Sequence, residues 1–225
     1  MKHAIILTAL FVTSFQCLSQ ELIGSIGISA QAMRELKELQ AFNVNQGPAT
    51  LKNTQSFPPF LQYQLGMRFI LSERVKLGGI LYLTSTAARS AISDYTGSIT
   101  VDQKLGCVGT GAYFAYVVTH ANRWKISLYA ISGVEFSSLN LSVHVNIPSV
   151  EVSKRQSKFG AVSAMAEGGL EFQRAVTDRL SLHLNIGAHL SPPTDLINDD
   201  NERFGRVNWT GAKIMGGLCY KLKND

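Results

Sequence analysis

The feature that most constrains this chain is a hydrophobic period of two that recurs in eight separate segments. The clearest segment is 180–190, where leucine, isoleucine and alanine alternate with serine, histidine, asparagine and glycine. The same alternation occupies 22–31, 61–71, 75–84, 107–118, 124–136, 162–173 and 212–222. Successive side chains of a strand point to opposite faces, whereas helices repeat every 3.6 residues. The pattern therefore predicts eight strands, each with one apolar face.

The connections between these segments alternate in length. Short polar turns are expected at 72–74, 119–123 and 174–179, and long links at 32–59, 87–99, 138–158 and 191–206. Outer-membrane barrels have short periplasmic turns and longer extracellular loops, and their strands need about ten residues each to cross. The sequence therefore predicts an all-β fold, an eight-stranded antiparallel up-and-down transmembrane β-barrel with both termini in the periplasm.

The first twenty residues have the organisation of a secretory signal peptide. Lys2 supplies a positive start, 4–12 an apolar stretch too short to span a bilayer as a helix, and Cys17-Leu18-Ser19 a small-residue cleavage site. We expect cleavage after Ser19 or Gln20, which leaves 21–225 as one barrel domain in the outer membrane. Its 20 basic and 16 acidic residues are scattered. Nucleic acid is therefore not an expected partner, whereas membrane lipid is.

Aromatic residues support this orientation. Five residues on the predicted lipid face fall at the short-turn ends of their strands, as an interfacial girdle requires. They are Phe69, Tyr116, Trp124, Phe172 and Tyr220. Tyr63 and Phe136 form a thinner outer girdle. The opposite faces carry charged and ionisable residues, which an apolar ligand cavity of a soluble barrel would not tolerate unpaired. They are Arg68, Glu135, Glu167, Glu171, His183 and Lys213.

The chain resembles the small outer-membrane barrels of the OmpA/OmpX type, and particularly the PorT-like barrel proteins. The resemblance is one of pattern over the whole mature chain, and it includes the closing Leu218-Cys219-Tyr220-Lys221-Leu222. That segment is similar to the terminal strand signal read by the barrel-assembly machinery, although it ends in leucine rather than phenylalanine. The PorT resemblance implies an association with a secretion apparatus.

The predicted lumen charges allow two interpretations. An eight-stranded barrel is only wide enough for side chains to fill it, which favours a plug of salt bridges and hydrogen bonds. A narrow path for protons or small ions is the alternative, because ionisable groups at membrane depth also mark pathways.

A second resemblance concerns His189-Leu190-Ser191 with Glu202 downstream, which is similar to the His-x-Ser plus Glu set of outer-membrane lipid A deacylases. It implies that His189 activates Ser191 for attack on an ester while Glu202 orients the imidazole. His189 and Ser191, however, share the lumen-facing parity of His183, and Pro192 follows where that family tends to have asparagine. The match is three residues long. We therefore predict a non-enzymatic barrel.

No metal or cofactor site is expected, and Cys107 and Cys219 are predicted to lie on opposite walls without forming a disulfide. The function should then lie in the extracellular loops, at 32–59 and 138–158. Residues 139–152 alternate apolar and polar side chains and are predicted to extend two strands as an exposed hairpin. Such an edge favours pairing with a protein partner, and a surface polymer is the other candidate.

Overall fold

The computed structural model describes residues 19–31, 33, 36–38, 52–55, 57–94, 97–146 and 153–222. Almost all of the predicted signal peptide lies outside these residues, and its cleavage stays a prediction. Eleven strands occur in the described part of the chain. They are β1 Ser19–Gln31, β2 Lys52–Gln55, β3 Phe60–Ile70, β4 Val75–Asp94, β5 Gly97–Ala121, β6 Trp124–Asn146, β7 Ser153–Ala175, β8 Leu180–Leu190, β9 Thr194–Ile197, β10 Arg203–Val207 and β11 Gly211–Lys221.

Eight of these strands close into a ring. Neighbours pair antiparallel in the order β1, β3, β4, β5, β6, β7, β8, β11, and β11 pairs with β1 from Gly211↔Gln31 to Lys221↔Glu21. Each ring strand contains one of the eight alternating segments, so the predicted barrel is confirmed. Both ends of the described chain lie beside the short turns, at what we call the short-turn end; the opposite end is the loop end. No helix in the described residues is long and apolar enough to cross a membrane.

The two faces of the wall have the predicted polarity. On the outer face Leu65 is 63% exposed and Ile214 56%, whereas Arg68 and Glu135 on the inner face are fully buried. The ring therefore has an apolar band on its outside and a polar lumen, which is the arrangement of a membrane barrel. The five girdle aromatics all lie on the outer face near the short-turn end. Among them, Trp124 carries the guanidinium of Arg174 at 5.3 Å from its ring centre.

The segment 87–99 was predicted to be a loop, and this is wrong. β4 continues to Asp94 and β5 begins at Gly97, and the two pair without interruption from Val75↔Tyr116 to Asp94↔Gly97. Gly97 has φ 150°, a value that residues with side chains rarely adopt. The prediction ended these strands at the length that a membrane requires, but antiparallel strand pairing can also continue outside the membrane.

The predicted hairpin in 139–152 is confirmed as far as the structure describes it. β6 continues to Asn146 and pairs with β7 from Ser153 onward, while 147–152 lie outside the described residues. The parts of β4 to β7 at 85–94, 97–106, 137–146 and 153–160 form a four-stranded extension, which we call the projecting sheet. With 25 residues, β5 is more than twice as long as a membrane strand requires.

An apolar cap covers the lumen at the loop end. β8 stops at Leu190, and after Pro192 and Pro193 the β9–β10 hairpin turns its apolar side chains toward the axis. The buried residues of the cap are Phe57, Phe60, Leu105, Leu139, Leu196, Val207 and Trp209. Phe60 meets the Trp209 ring edge-on at 5.6 Å, and the indole N–H of Trp209 donates to Ser137 at 2.7 Å. The cap belongs to one hydrophobic cluster that continues into the lumen through Tyr82, Tyr113 and Tyr129.

Candidate functional site

The lumen holds two groups of buried charges, and the first lies toward the short-turn end. Its centre is Arg68 on β3, whose Nη1 donates to both carboxylate oxygens of Glu171 at 2.7 and 2.6 Å. Nη2 lies 3.1 Å from Glu21, which also accepts from Lys76 Nζ at 3.2 Å. The Tyr113 hydroxyl donates to Glu171 at 3.0 Å. We call these five residues the short-turn cluster.

The second group lies nearer the cap and consists of Glu135, Glu167, His189, Ser191 and Lys213, which we call the loop-end cluster. Lys213 Nζ is 2.5 Å from Glu167. His189 lies between the two carboxylates, with Nε2 3.1 Å from Glu135 and Nδ1 3.6 Å from Glu167. The Ser191 hydroxyl donates to Glu135. All five side chains are buried.

The charges within each cluster are matched. The short-turn cluster has two carboxylates, one guanidinium and one ammonium, and is neutral. The loop-end cluster has two carboxylates and one ammonium, so an imidazolium at His189 would make it neutral too. Buried ions are tolerated when they are paired and hydrogen-bonded, and breaking one pair is costly. The described lumen charges therefore form paired, hydrogen-bonded groups.

The structure divides the predicted charge network in two. Arg68 and Glu171 meet in the short-turn cluster beside His183, whose Nε2 shares a 2.8 Å hydrogen bond with Ser25. The remaining predicted residues, Glu135, Glu167 and Lys213, are in the loop-end cluster. The sequence prediction missed Glu21 and Lys76. Both have the lumen-facing parity of their strands, which was a sufficient signal.

The structure does not assemble the candidate catalytic set as the resemblance implied. Glu202 is exposed in the β9–β10 turn, where it accepts from the Asn198 side chain at 2.9 Å. Glu135 occupies the acidic position instead. Both ring nitrogens of His189 face carboxylates, and among the described contacts none joins His189 to Ser191. A serine nucleophile needs a base within hydrogen-bond reach, and here the only such group described is Glu135.

Cys107 and Cys219 are both free and buried, as the prediction of separate walls requires. They belong to β5 and β11, which are opposite each other in the ring. Cys219 Sγ lies 2.8 Å from Arg68 Nη2, and Cys107 Sγ lies 3.9 Å from the Tyr82 hydroxyl. Each thiol is part of the lumen packing.

The two ends of the lumen differ. At the short-turn end a polar cavity of about 650 Å³ opens outward, with Glu73, His120, Arg123 and Lys125 among its lining residues. At the loop end the cap is apolar, and Leu196 and Leu139 are fully buried in it. An ion that entered from the polar cavity would meet two sets of paired charges and then a hydrophobic barrier.

The projecting sheet has one edge covered and one edge open. At β4, the strand β2 pairs with Ala91, Ser90 and Arg89. At β7, pairing with β8 ends at Ala166↔Leu190, and β9 adds only Gly160↔Ile197. Pro192 and Pro193 interrupt the pairing along this side of β7 because proline has no N–H to donate. Residues 153–159 of β7 thus pair with no strand on that side within the described chain, although Phe159 stacks on Phe204 of β10 at 4.8 Å, and we call them the open edge.

The outer face of the projecting sheet carries an ion pair between Arg89 and Asp102. Arg89 Nε and Nη2 lie 2.5 and 3.1 Å from the two carboxylate oxygens. These hydrogen bonds, followed by the charge of Arg89, lower the pKa of Asp102 from its ordinary value. The pair links β4 to β5 above the membrane band.

Comparison with known proteins gives likenesses of shape alone. No family model matches the chain, and no curated protein matches its sequence. Among solved structures, Ail of Yersinia pestis, in complex with a heparin analogue, is 17% identical with a TM-score of 0.42, covering 91% of this chain and 100% of its own. Neisserial surface protein A is 12% identical (TM-score 0.43; 91% and 97% covered), and the Escherichia coli protease OmpT 10% (0.40; 91% and 95%). These values do not reach a family assignment.

Proposed function

We propose that this chain is an integral outer-membrane barrel without enzymatic activity, and that it binds a partner polypeptide along the open edge of its projecting sheet. The outward apolar band and its aromatic girdles support the membrane location. With the short turns in the periplasm, the projecting sheet lies outside the cell. The observation that carries the proposal is the open edge itself, since an unpaired strand offers a row of N–H and C=O groups to another strand.

The sequence of the open edge favours an acidic partner. Lys154, Arg155 and Lys158 fall within seven residues, with no acidic residue among them. A second copy of this chain would place like charges opposite each other across the new pair, which is destabilising. An extended segment with Asp or Glu would be attracted instead. The PorT resemblance makes a component of a secretion apparatus the first partner to test, before an adhesin target or a surface polymer.

Site-specific photocrosslinking tests the proposal. A benzoylphenylalanine at position 157 on the open edge should crosslink an envelope protein in living cells. The same residue at position 132, which is exposed on the lipid-facing wall of β6, should not. Removal of 142–150, which shortens β6 beside the open edge, should abolish the crosslink while the barrel still folds. Equal crosslinking at both positions, or none at 157, would contradict the proposal.

The two alternative functions have separate tests. A lipid A hydrolase would leave a deacylated lipid A species in cells with the native chain that is absent with Ser191→Ala; we expect identical lipid A by mass spectrometry. A narrow ion channel would give single-channel steps in planar bilayers that change with Glu167→Gln. Because charge pairs and the cap obstruct the lumen, we expect no steady conductance.

A further inference from the structure

The outer wall has a groove that the proposed function does not use. It lies at the loop end, across β3 to β6, and has a volume of about 890 Å³. Its lower wall is apolar, with Tyr63, Leu83 and Phe136, and its upper wall is polar, with Lys104 and Asn140. Ligand-binding clefts in proteins commonly have volumes of this order.

The strand register explains the groove as three successive rows of outward side chains. The lowest row runs Tyr63, Leu83, Val108 and Phe136 across β3 to β6. The next row is Ser85, Gly106 and Ser138 across β4 to β6, whose small side chains leave space, and Leu61 of β3 lines the groove beside them. The highest row is Lys104, Asn140 and Lys158. Rows two residues apart are separated by about 6.6 Å, so the lysines stand about 13 Å above the outer aromatics.

The two lysines are free to bind an anion. Both are exposed, and neither is within salt-bridge distance of a carboxylate in the described residues, although the charge of Lys104 also acts on Asp102. Asp102, the carboxylate nearest along β5, is engaged by Arg89. Lys104 and Lys158 belong to strands two apart, at roughly 10 Å, so their flexible side chains can converge on one group above Asn140.

The position of the groove selects the ligand. Tyr63 and Phe136 lie near the outer end of the apolar band, and Leu61 is the next outward apolar side chain of β3. The groove therefore begins among lipid tails and ends among headgroups. A molecule that fits has an apolar chain, a bulky polar middle and a negative charge beyond it. Basic side chains near a lipid surface each add about fivefold to the binding of an anionic headgroup.

We propose that this groove binds one phosphorylated lipid of the outer leaflet, with an acyl chain along the Tyr63–Phe136 row and a phosphate between Lys104 and Lys158. The inference shares Lys158 with the open edge but does not need the polypeptide partner, and it requires only that the loop end faces the outer leaflet. Bound lipid would lie against the outer face of the projecting sheet and hold its base at the membrane surface.

Native mass spectrometry of the full barrel in detergent, titrated with bisphosphorylated lipid A, tests this. We expect a bound lipid whose affinity falls about fivefold in Lys104→Gln and about 25-fold in Lys104→Gln/Lys158→Gln. The charge control is Arg123→Gln/Arg179→Gln, which removes two positive charges at the short-turn end and should bind as the native chain does. Equal losses in both double variants would overturn the proposal.

A second variant tests the groove without changing charge. A Cβ on Gly106 would meet Ser138 Oγ at 3.5 Å, an ordinary contact, so Gly106→Leu should fold and fill the groove. Its control is Gly79→Leu, on the same outer face but below the groove, where a Cβ finds its nearest atom at 3.9 Å. Unchanged lipid binding by Gly106→Leu would contradict the proposal.

Two further arms distinguish the source of the phosphate. Dephosphorylated lipid A should bind the native chain as weakly as phosphorylated lipid A binds the double lysine variant. Excess inorganic phosphate should not displace the lipid, because it lacks the apolar chain. If dephosphorylated lipid binds equally well, the lysines are irrelevant; if inorganic phosphate displaces the lipid, the site is one for free anions. Either result refutes the assignment.

Discussion

Arg68→Met should destabilise the barrel by about 3–5 kcal/mol, because it leaves a buried carboxylate without a counter-ion. Arg68 is fully buried and bonds both oxygens of Glu171. Methionine fills similar space but supplies no charge. Glu21 keeps Lys76 at 3.2 Å, so the uncompensated charge falls on Glu171. The expected loss in the free energy of unfolding is therefore that of one buried ion without a counter-ion rather than two.

A second substitution isolates this cause. Arg68→Met/Glu171→Gln removes both charges and leaves Glu21 and Lys76 as a neutral pair. We expect the double variant to recover at least about 2 kcal/mol of the loss, since replacing both members of a buried pair costs far less than removing one. The difference in the free energy of unfolding between the two variants measures the cost of leaving the Glu171 charge without its counter-ion.

Equilibrium unfolding by urea in lipid vesicles measures both free energies of unfolding, and the mobility shift of the folded barrel on gels gives the folded fraction. Arg74→Met is the control, since Arg74 is exposed in a short turn and should cost no more than about 0.5 kcal/mol. A loss below about 1 kcal/mol for Arg68→Met, or no recovery on adding Glu171→Gln, would refute the electrostatic reasoning.

Two other outcomes follow from the structure. Trp209→Ala should cost about 3–5 kcal/mol in the same unfolding assay because it opens a cavity in the cap, whereas Trp124→Ala on the lipid face should cost less; equal costs would mean that the cap is not a packed core. The pKa of the Asp102 carboxyl is lowered in the folded chain, so the stabilisation from Arg89 is present above the ordinary carboxyl pKa of about 4 and is lost as the pH falls through the lowered value. NMR titration of Asp102 should show its pKa rising in Arg89→Gln, and an unchanged value would exclude the ion pair in solution.

The wall could be predicted from the sequence because every second residue reports on which side it faces. A strand with Leu180, Leu182 and Leu184 on one side must place those residues either against lipid or in an apolar core. Because the opposite faces of the predicted strands carry charged residues, a soluble barrel with an apolar interior was excluded. The same parity places Lys76 on the lumen face of the segment 75–84, whereas Glu21 was missed because it directly precedes the segment 22–31. Strand ends are where alternation is shortest and its signal weakest.

The regions beyond the membrane could not be predicted to the same extent. Strand pairing outside the membrane has no length set by the bilayer. The local sequence pattern therefore does not show that β4 continues to Asp94 and that β5 begins at Gly97. The sequence prediction placed Glu202 beside His189, whereas the structure places Glu135 there. This could not be predicted, because contacts across the lumen depend on the register of strands that are distant in sequence. Pro192 and Pro193 were visible as a break in a strand, but the inward turn of the hairpin after them depends on where Trp209 can pack.

The pairing of β1 with β11 has a consequence for assembly. Glu21 comes from the first strand of the ring, Arg68 and Lys76 from the next two, and Glu171 from β7, so no open intermediate contains the complete short-turn cluster in a dry environment. Before the last seam forms, these ions can remain hydrated. Closure removes the water and leaves each charge with only the partners that the cluster supplies, in the same step. The time at which the first and last strands meet is therefore the time at which the interior becomes dry, and insertion and closure of this barrel should be observed as a single event.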